Sequence, residues 1–262
     1  MNRVVAHVVA FLLSAVSLAA CSGGGLNVSL PQLNHKIATI AGRTKSATSP
    51  VSTSIVPAST QLFVLAGTTS YSTTPGGRSI GTEPGRLFGA TEVLPVIAKS
   101  QGYVEVLLPG PPNGEIGWIS DSKGTNEIDP WAVVVSLVHR TISVYHSGIL
   151  VGSSPAGIGA PNTPTPVPPG GMTFIDGDVV AKGTIEAPVL RTLGLHVVGN
   201  EASVDDAAIG ANQVAIHGWG DREHDPSVFG QAISHACIRV PALFVTTQVA
   251  PLPNGTLVFI SS

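Results

Sequence analysis

Residues 232–241 of this 262-residue chain read "AISHACIRVP" and hold Cys237, one of two cysteines in the sequence, two positions after His235. Two more histidines lie shortly upstream, His217 in "QVAIHGWG" and His224 in "DREHDP". A thiol attacks as its thiolate, and a neighbouring imidazole can take the proton and hold the ion pair, lowering the thiol pKa from its ordinary value of about 8.5. In an extended segment, side chains two apart point the same way, which would set His235 beside Cys237. His217 ends an apolar run and precedes Gly218, as expected of a base presented from the end of another strand. His217, His224, His235 and Cys237 are also zinc-ligand types, although the chain has none of the usual Cys-x-x-Cys or His-x-x-x-His pairs.

The other cysteine bears on how Cys237 is read. The chain opens with Asn2-Arg3, then "VVAHVVAFLLSAVSLAA", then Cys21-Ser22-Gly23. A positive start, a short apolar stretch and small residues before a break fit an export signal over residues 1–20 better than a membrane span, which needs roughly 20 apolar residues. "LAAC" resembles the lipobox of bacterial lipoproteins, which implies a lipid on Cys21 and a protein held on the outer face of the cytoplasmic membrane. An ordinary secretory signal cut nearby would leave Cys21 incidental. A lipidated Cys21 leaves Cys237 no cysteine to pair with in an oxidising compartment. That favours a reactive thiol over a structural one, with a buried inert cysteine as the alternative.

Thirteen Lys+Arg against sixteen Asp+Glu give a formal charge of −3, and only 11% of residues are charged, so no basic run tracks phosphates. Nucleic acid is not an expected partner. Thirty glycines and 21 prolines favour short strands joined by turns. Residues 21–59, rich in Ser, Thr, Pro and Gly, read as a tether that cannot bury enough apolar surface to offset its chain entropy.

The elements that must position Cys237 follow. "QLFVLAG", "RLFGATEVLPVIAKS", "GYVEVLLPG" and "EIGWISD" are strand-like, with Tyr103, Glu105 and Leu107 on one face and Val104 and Val106 on the other. Residues 60–125 resemble a small bacterial SH3-like barrel; an N-terminal extension of the later sheet is the alternative. "NEIDP" marks a boundary, and "WAVVVSLV", "TISVYHS" and "ILVGSSPAG" then predict three strands with turns at His139-Arg140 and Ser147-Gly148. Between residues 158 and 174, five prolines and three glycines exclude regular structure. A short helix is expected through "ALFVTTQVA" after Pro241, and "PNGTLVFI" closes the chain as a turn and a strand.

"IHG" followed by "SHACIRV", with sixteen residues between His217 and Ser234, resembles the L,D-transpeptidase (YkuD-type) motif of a His-Gly pair, a spacer, then Ser/Thr-His-Gly-Cys and usually Ile/Val-Arg. The order of parts, including the "TPTP" loop, also matches over residues 60–262. The resemblance implies a mainly β fold, an SH3-like barrel followed over 130–262 by a catalytic β-sandwich with a short helix. It assigns Cys237 as nucleophile and His217 as general base, and gives Ser234 and His235 supporting roles. Arg239, Gly218, Trp219 and Ala236 fall on the substrate-binding surface; an aromatic after a glycine turn, such as Trp219, also fits as packing. The implied activity is thioester formation with a peptidoglycan tetrapeptide stem, release of the terminal D-amino acid, and acyl transfer to an acceptor amine. No cofactor or metal is implied, and carbapenems are expected to acylate Cys237. Ala236 stands where the family has glycine. Ala236 is read as a conservative change at a negative φ; a positive φ would strain it. A wall-binding lipoprotein with an impaired cysteine domain is the alternative that Ala236 leaves open.

Overall fold

The computed structural model describes residues 56–179, 189–197, 212–219 and 225–262. The 1–20 signal, Cys21, the tether as far as residue 55, and His224 lie outside the described residues. The chain is mainly β, as expected, with strands β1 (Thr60–Leu65), β2 (Thr69–Ser72), β3 (Ser79–Glu83), β4 (Arg86–Leu87), β5 (Ala90–Thr91), β6 (Val93–Ser100), β7 (Tyr103–Leu107), β8 (Ile116–Ser120) and β9 (Gly124–Asp129) in its first part. After Pro130 come β10 (Trp131–Ser136), β11 (Thr141–His146), β12 (Ile149–Pro155), β13 (Ile158–Gly159), β14 (Met172–Val179), β15 (Leu190–His196), β16 (Gln213–His217), β17 (Ala232–Ser234), β18 (Ile238–Arg239) and β19 (Leu257–Ser261).

The first sheet runs β3-β2-β8-β7-β6-β1-β9. Alternation drives it, since Val104, Val106 and Ile119 are buried while Tyr103, Glu105 and Trp118 on the opposite face stay half-exposed. Leu107 departs from the expected pattern: it is buried along with Leu108.

The second sheet runs β12-β11-β10-β19-β14-β15-β16-β18. Hairpins β10–β11 and β11–β12 turn at Arg140 and at Ser147-Gly148, all with positive φ. The sheet curls until its ends approach: Gly157, just past β12, forms an antiparallel bridge with Arg239 of β18, and β13 pairs parallel with β17. Val133, Val135, Ile142, Val144, Leu193, Val214, Ile216 and Ile238 fill the interior. Helix α1 (Ala242–Phe244) starts after Pro241 and continues as a π-turn through Val249, burying Val245 and Val249 in the same core.

Strands β14 and β19 serve two cores at once. Val258 and Ile260 point into the curled sheet, whereas Leu257 and Phe174 join Phe63, Leu94, Val104 and Ile119 in the core of the first sheet. That is why "LVFI", residues 257–260, is an unbroken apolar run rather than an alternating one. Asn113, in the turn before β8, adds a polar latch: its side chain donates from Nδ2 to His196 O and accepts from His196 N, both at 2.7 Å.

Candidate active site

Alternation along β16 sends Val214 and Ile216 into the core and leaves Gln213, Ala215 and His217 on the opposite face. Strand β18 pairs parallel to it, Ile216 beside Ile238 and His217 beside Arg239. Ile238 fills the core, so Cys237 and Arg239 share the face of Ala215 and His217. Leu190 and Ala215 form an apolar floor with Cys237, which is 7% exposed, and His217, two residues beyond Ala215 on β16, is buried on the same face opposite Arg239. Residues twenty apart in sequence are thus set on one surface by a two-residue parallel pairing.

His217 Nδ1 lies 2.6 Å from Gly218 O. A carbonyl offers only lone pairs, so in the neutral imidazole Nδ1 carries the hydrogen and donates it. Nε2 then holds the lone pair, which is the state a general base needs. Arg239 lays its guanidinium 3.7 Å from the centre of the Trp219 ring, a cation–π contact, and that ring lies 6.5 Å from the His217 ring. Trp219 therefore packs within the site, against the arginine and near the base.

The segment leading to Cys237 is a tightly held turn. Ser234 Oγ donates to Cys237 O at 2.5 Å. Thr163 Oγ1 and Ala160 N both donate to Ser234 O at 2.9 Å, and Thr165 Oγ1 donates to Ala236 O at 2.7 Å. Thr165 in turn accepts from Gly159 N at 2.9 Å. The "TPTP" loop is thus the clamp on the cysteine turn; the expected lack of regular structure over 158–174 holds only between its ends, since β13 occupies Ile158–Gly159, a 3-10 turn Pro169–Gly171, and β14 begins at Met172. Gly159 permits the approach, because a Cβ at that position would sit 2.2 Å from Thr165 N.

The clamp holds Ala236 at φ +78°, in the left-handed region. This corrects the expectation of a negative φ: the position needs what glycine gives freely, and alanine is held there at a cost of about 1–2 kcal/mol. Ala236 is fully buried, and its methyl recovers roughly 0.8 kcal/mol of that. Ala236→Gly is therefore expected to raise the melting temperature slightly, by about 1–3 °C, and Ala236→Val to lower it; a thermal melt in which the glycine variant is the less stable would show that the methyl outweighs the strain.

The turn also changes the position of His235. The expected extended run would put residues 235 and 237 on one side, but the left-handed step at Ala236 separates them, leaving His235 exposed and Cys237 buried. Among the described residues, no three His, Cys, Asp or Glu side chains are grouped to hold a metal ion. A cavity of about 590 Å³ between β12 and α1 is lined by none of these site residues.

Sequence reasoning missed the polar neighbours of this face. Gln213, four residues before His217 in the same strand, donates from Nε2 to Asp176 Oδ2 at 2.6 Å and to Leu193 O at 3.1 Å. Asp176 is buried, and burial pushes its carboxyl up to about 7 despite the Gln213 donor and the charge of Arg191. Glu83 at the end of β3 and Glu92 between β5 and β6 are buried close enough to Asp176 to feel its charge. No spacing in the sequence links these three acids.

No family model and no curated protein matches the chain. Several solved structures are similar to it. An L,D-transpeptidase from Mycobacterium tuberculosis H37Rv shares 12% identity over 65% of this chain and 90% of that one, with a TM-score of 0.40. An LD transpeptidase in complex with imipenem shares 14% identity over 74% and 98%, with a TM-score of 0.37. The Ldtfm-avibactam carbamoyl enzyme shares 19% identity over 50% of this chain, which spans 48% of that one, with a TM-score of 0.35.

Proposed function

We propose that this chain is an L,D-transpeptidase, a cysteine acyltransferase of peptidoglycan stems. The observation that carries the reading is the presentation of His217, at the end of β16, and Cys237, immediately before the adjoining β18, on one face, within the motif "IHG…SHACIR". Nε2 of His217 takes the thiol proton, and the sulfur attacks the carbonyl carbon of the residue preceding the terminal D-amino acid. The tetrahedral intermediate collapses as the C–N bond breaks, and the imidazolium returns its proton to the departing amine. An acceptor amine then attacks the thioester, loses its proton to His217, and the thiolate leaves and is reprotonated. Arg239, stacked on Trp219, supplies a fixed positive charge beside the base, suited to orienting a carboxylate of the donor stem. The export signal and the "LAAC" sequence support attachment through a lipid on Cys21, which would place this chemistry at the wall.

The test is acylation of the reduced mature chain by a carbapenem, followed by intact-mass measurement. One adduct should form, map to the peptide containing "ISHACIR", and be absent from Cys237→Ser. The same protein should release a D-amino acid from a tetrapeptide stem. A well-folded wild type that forms no adduct and releases no amino acid would overturn the reading; retention on isolated walls would then favour the wall-binding alternative that the strained Ala236 supports.

A further inference from the structure

The first sheet carries a second candidate site, on the face opposite its core. Register pairs Tyr103 with Ser120, Glu105 with Trp118, and Ser72 with Trp118, so these residues share one surface across β7, β8 and β2. Tyr103, Trp118, Ser70, Ser72, Ser120 and Lys123 line a cavity of about 250 Å³ there. Its rim is formed by the turn containing Gly76 and Gly77. Gly76 has φ +68°, and a Cβ on it would sit 3.4 Å from the Tyr103 hydroxyl; a Cβ on Gly77 would sit 2.5 Å from Thr74 Oγ1. Ser72 Oγ donates to Thr74 O at 2.7 Å and ties the turn down. Two glycines and a serine thus hold a loop directly against the tyrosine ring.

We propose that this cavity binds a saccharide. Half-exposed tryptophan and tyrosine rings offer flat apolar surface to the C–H face of a pyranose, while the surrounding serine hydroxyls donate to and accept from sugar hydroxyls. The cavity is smaller than a drug-sized site of roughly 300–1,000 Å³, which fits one or two sugar rings. Strand β7 is paired with both β6 and β8, and β2 is bridged to β8 at Ser72 and Trp118, so the backbone of the Tyr103 and Trp118 positions that floor the cavity is already paired rather than open to an added peptide strand. The single ammonium of Lys123 suits one acidic substituent, not a polyanion. The inference is independent of the role of Cys237.

The experiment is calorimetric titration of the mature chain with three probes: chitooligosaccharides of two to six units, wall glycan fragments stripped of peptide, and free stem tetrapeptide. Saturable binding of one or both saccharides is expected, weakened about tenfold or more by Trp118→Ala, which corresponds to about 1.4 kcal/mol, and largely retained in Trp118→Phe. Lys123→Ala should weaken only the wall glycan, whose lactyl groups are acidic, and so distinguishes the two sugar sources. Failure of both saccharides to bind the folded wild type would overturn the proposal, as would binding indifferent to Trp118→Ala and Trp118→Phe alike in variants that melt as wild type does. Binding of the tetrapeptide alone, lost in the tryptophan variants, would overturn it too and assign a peptide site instead.

Discussion

His217→Ala should slow acylation of Cys237 by a factor of about 10²–10⁴, the range that loss of a positioned general base costs. The variant removes the ring whose Nδ1 is committed to Gly218 O and whose Nε2 is left to accept the thiol proton. Its signature is in the pH profile as well as the rate. Without the base, the thiol must ionise by itself, so the residual rate should climb toward the ordinary thiol pKa of about 8.5 and recover part of the loss at alkaline pH. His235→Ala provides the contrast, because the left-handed step at Ala236 puts that ring in solvent, away from the buried cysteine. Its effect should stay under about tenfold. Stopped-flow measurement of carbapenem acylation across pH 6–9 reads all three proteins. Equal losses in the two histidine variants would remove His217 from the role of base without touching the assignment of Cys237.

Much of this arrangement is legible in the sequence where the signal is local. Strands β10 to β12 follow from "WAVVVS", "TISVYH" and "ILVGSSP" because β-branched runs and turn residues act within a few positions. The helix after Pro241 and the end of β16 at His217 follow in the same way. The strand at 257–261 is legible too, but its place between two cores is not, since an apolar run states only that both faces are covered. Ala236 shows another limit. Alanine fits either sign of φ on paper, and the sign is set by hydrogen bonds from Thr163 and Thr165, some seventy residues upstream, to the carbonyls of Ser234 and Ala236. The clamp on the cysteine turn is a tertiary fact, visible in the sequence only as an odd "TPTP". The same holds for Glu92, which in "GATEVLP" looks like an ordinary surface charge.

Glu92 gives the second large effect, on stability. Its side chain is fully buried, and neither carboxyl oxygen has a hydrogen-bond partner among the described residues. Burial first, then the nearby Asp176 and Glu83, push its carboxyl up to about 9 from the usual 4.5. The folded protein therefore holds a proton on Glu92 that the unfolded chain releases in the low fours. For a group whose folded pKa is raised, its contribution is fully present below the unfolded value and is lost progressively as pH rises toward the folded one, here between about 4.5 and 9. Glu83 and Asp176, each raised to about 7, add to the loss over the lower part of that window. Around them, Glu115 acts on Glu83, while Arg191 offsets part of the charge at Asp176. Glutamine has the shape of the protonated acid and no proton to lose, so Glu92→Gln should match wild type at pH 5 and exceed it by an amount that grows with pH. With one pK unit worth about 1.4 kcal/mol, the shift from 4.5 to about 9 sets a ceiling of about 6 kcal/mol near pH 9, and a gain of at least about 2 kcal/mol, or about 4–8 °C in melting temperature, is expected there. Melting curves from pH 5 to 9 for the two proteins test this. A difference that stays constant across the range would mean that Glu92 titrates in the folded chain as it does in the unfolded one, and a difference that shrinks with pH would reverse the sign of the argument.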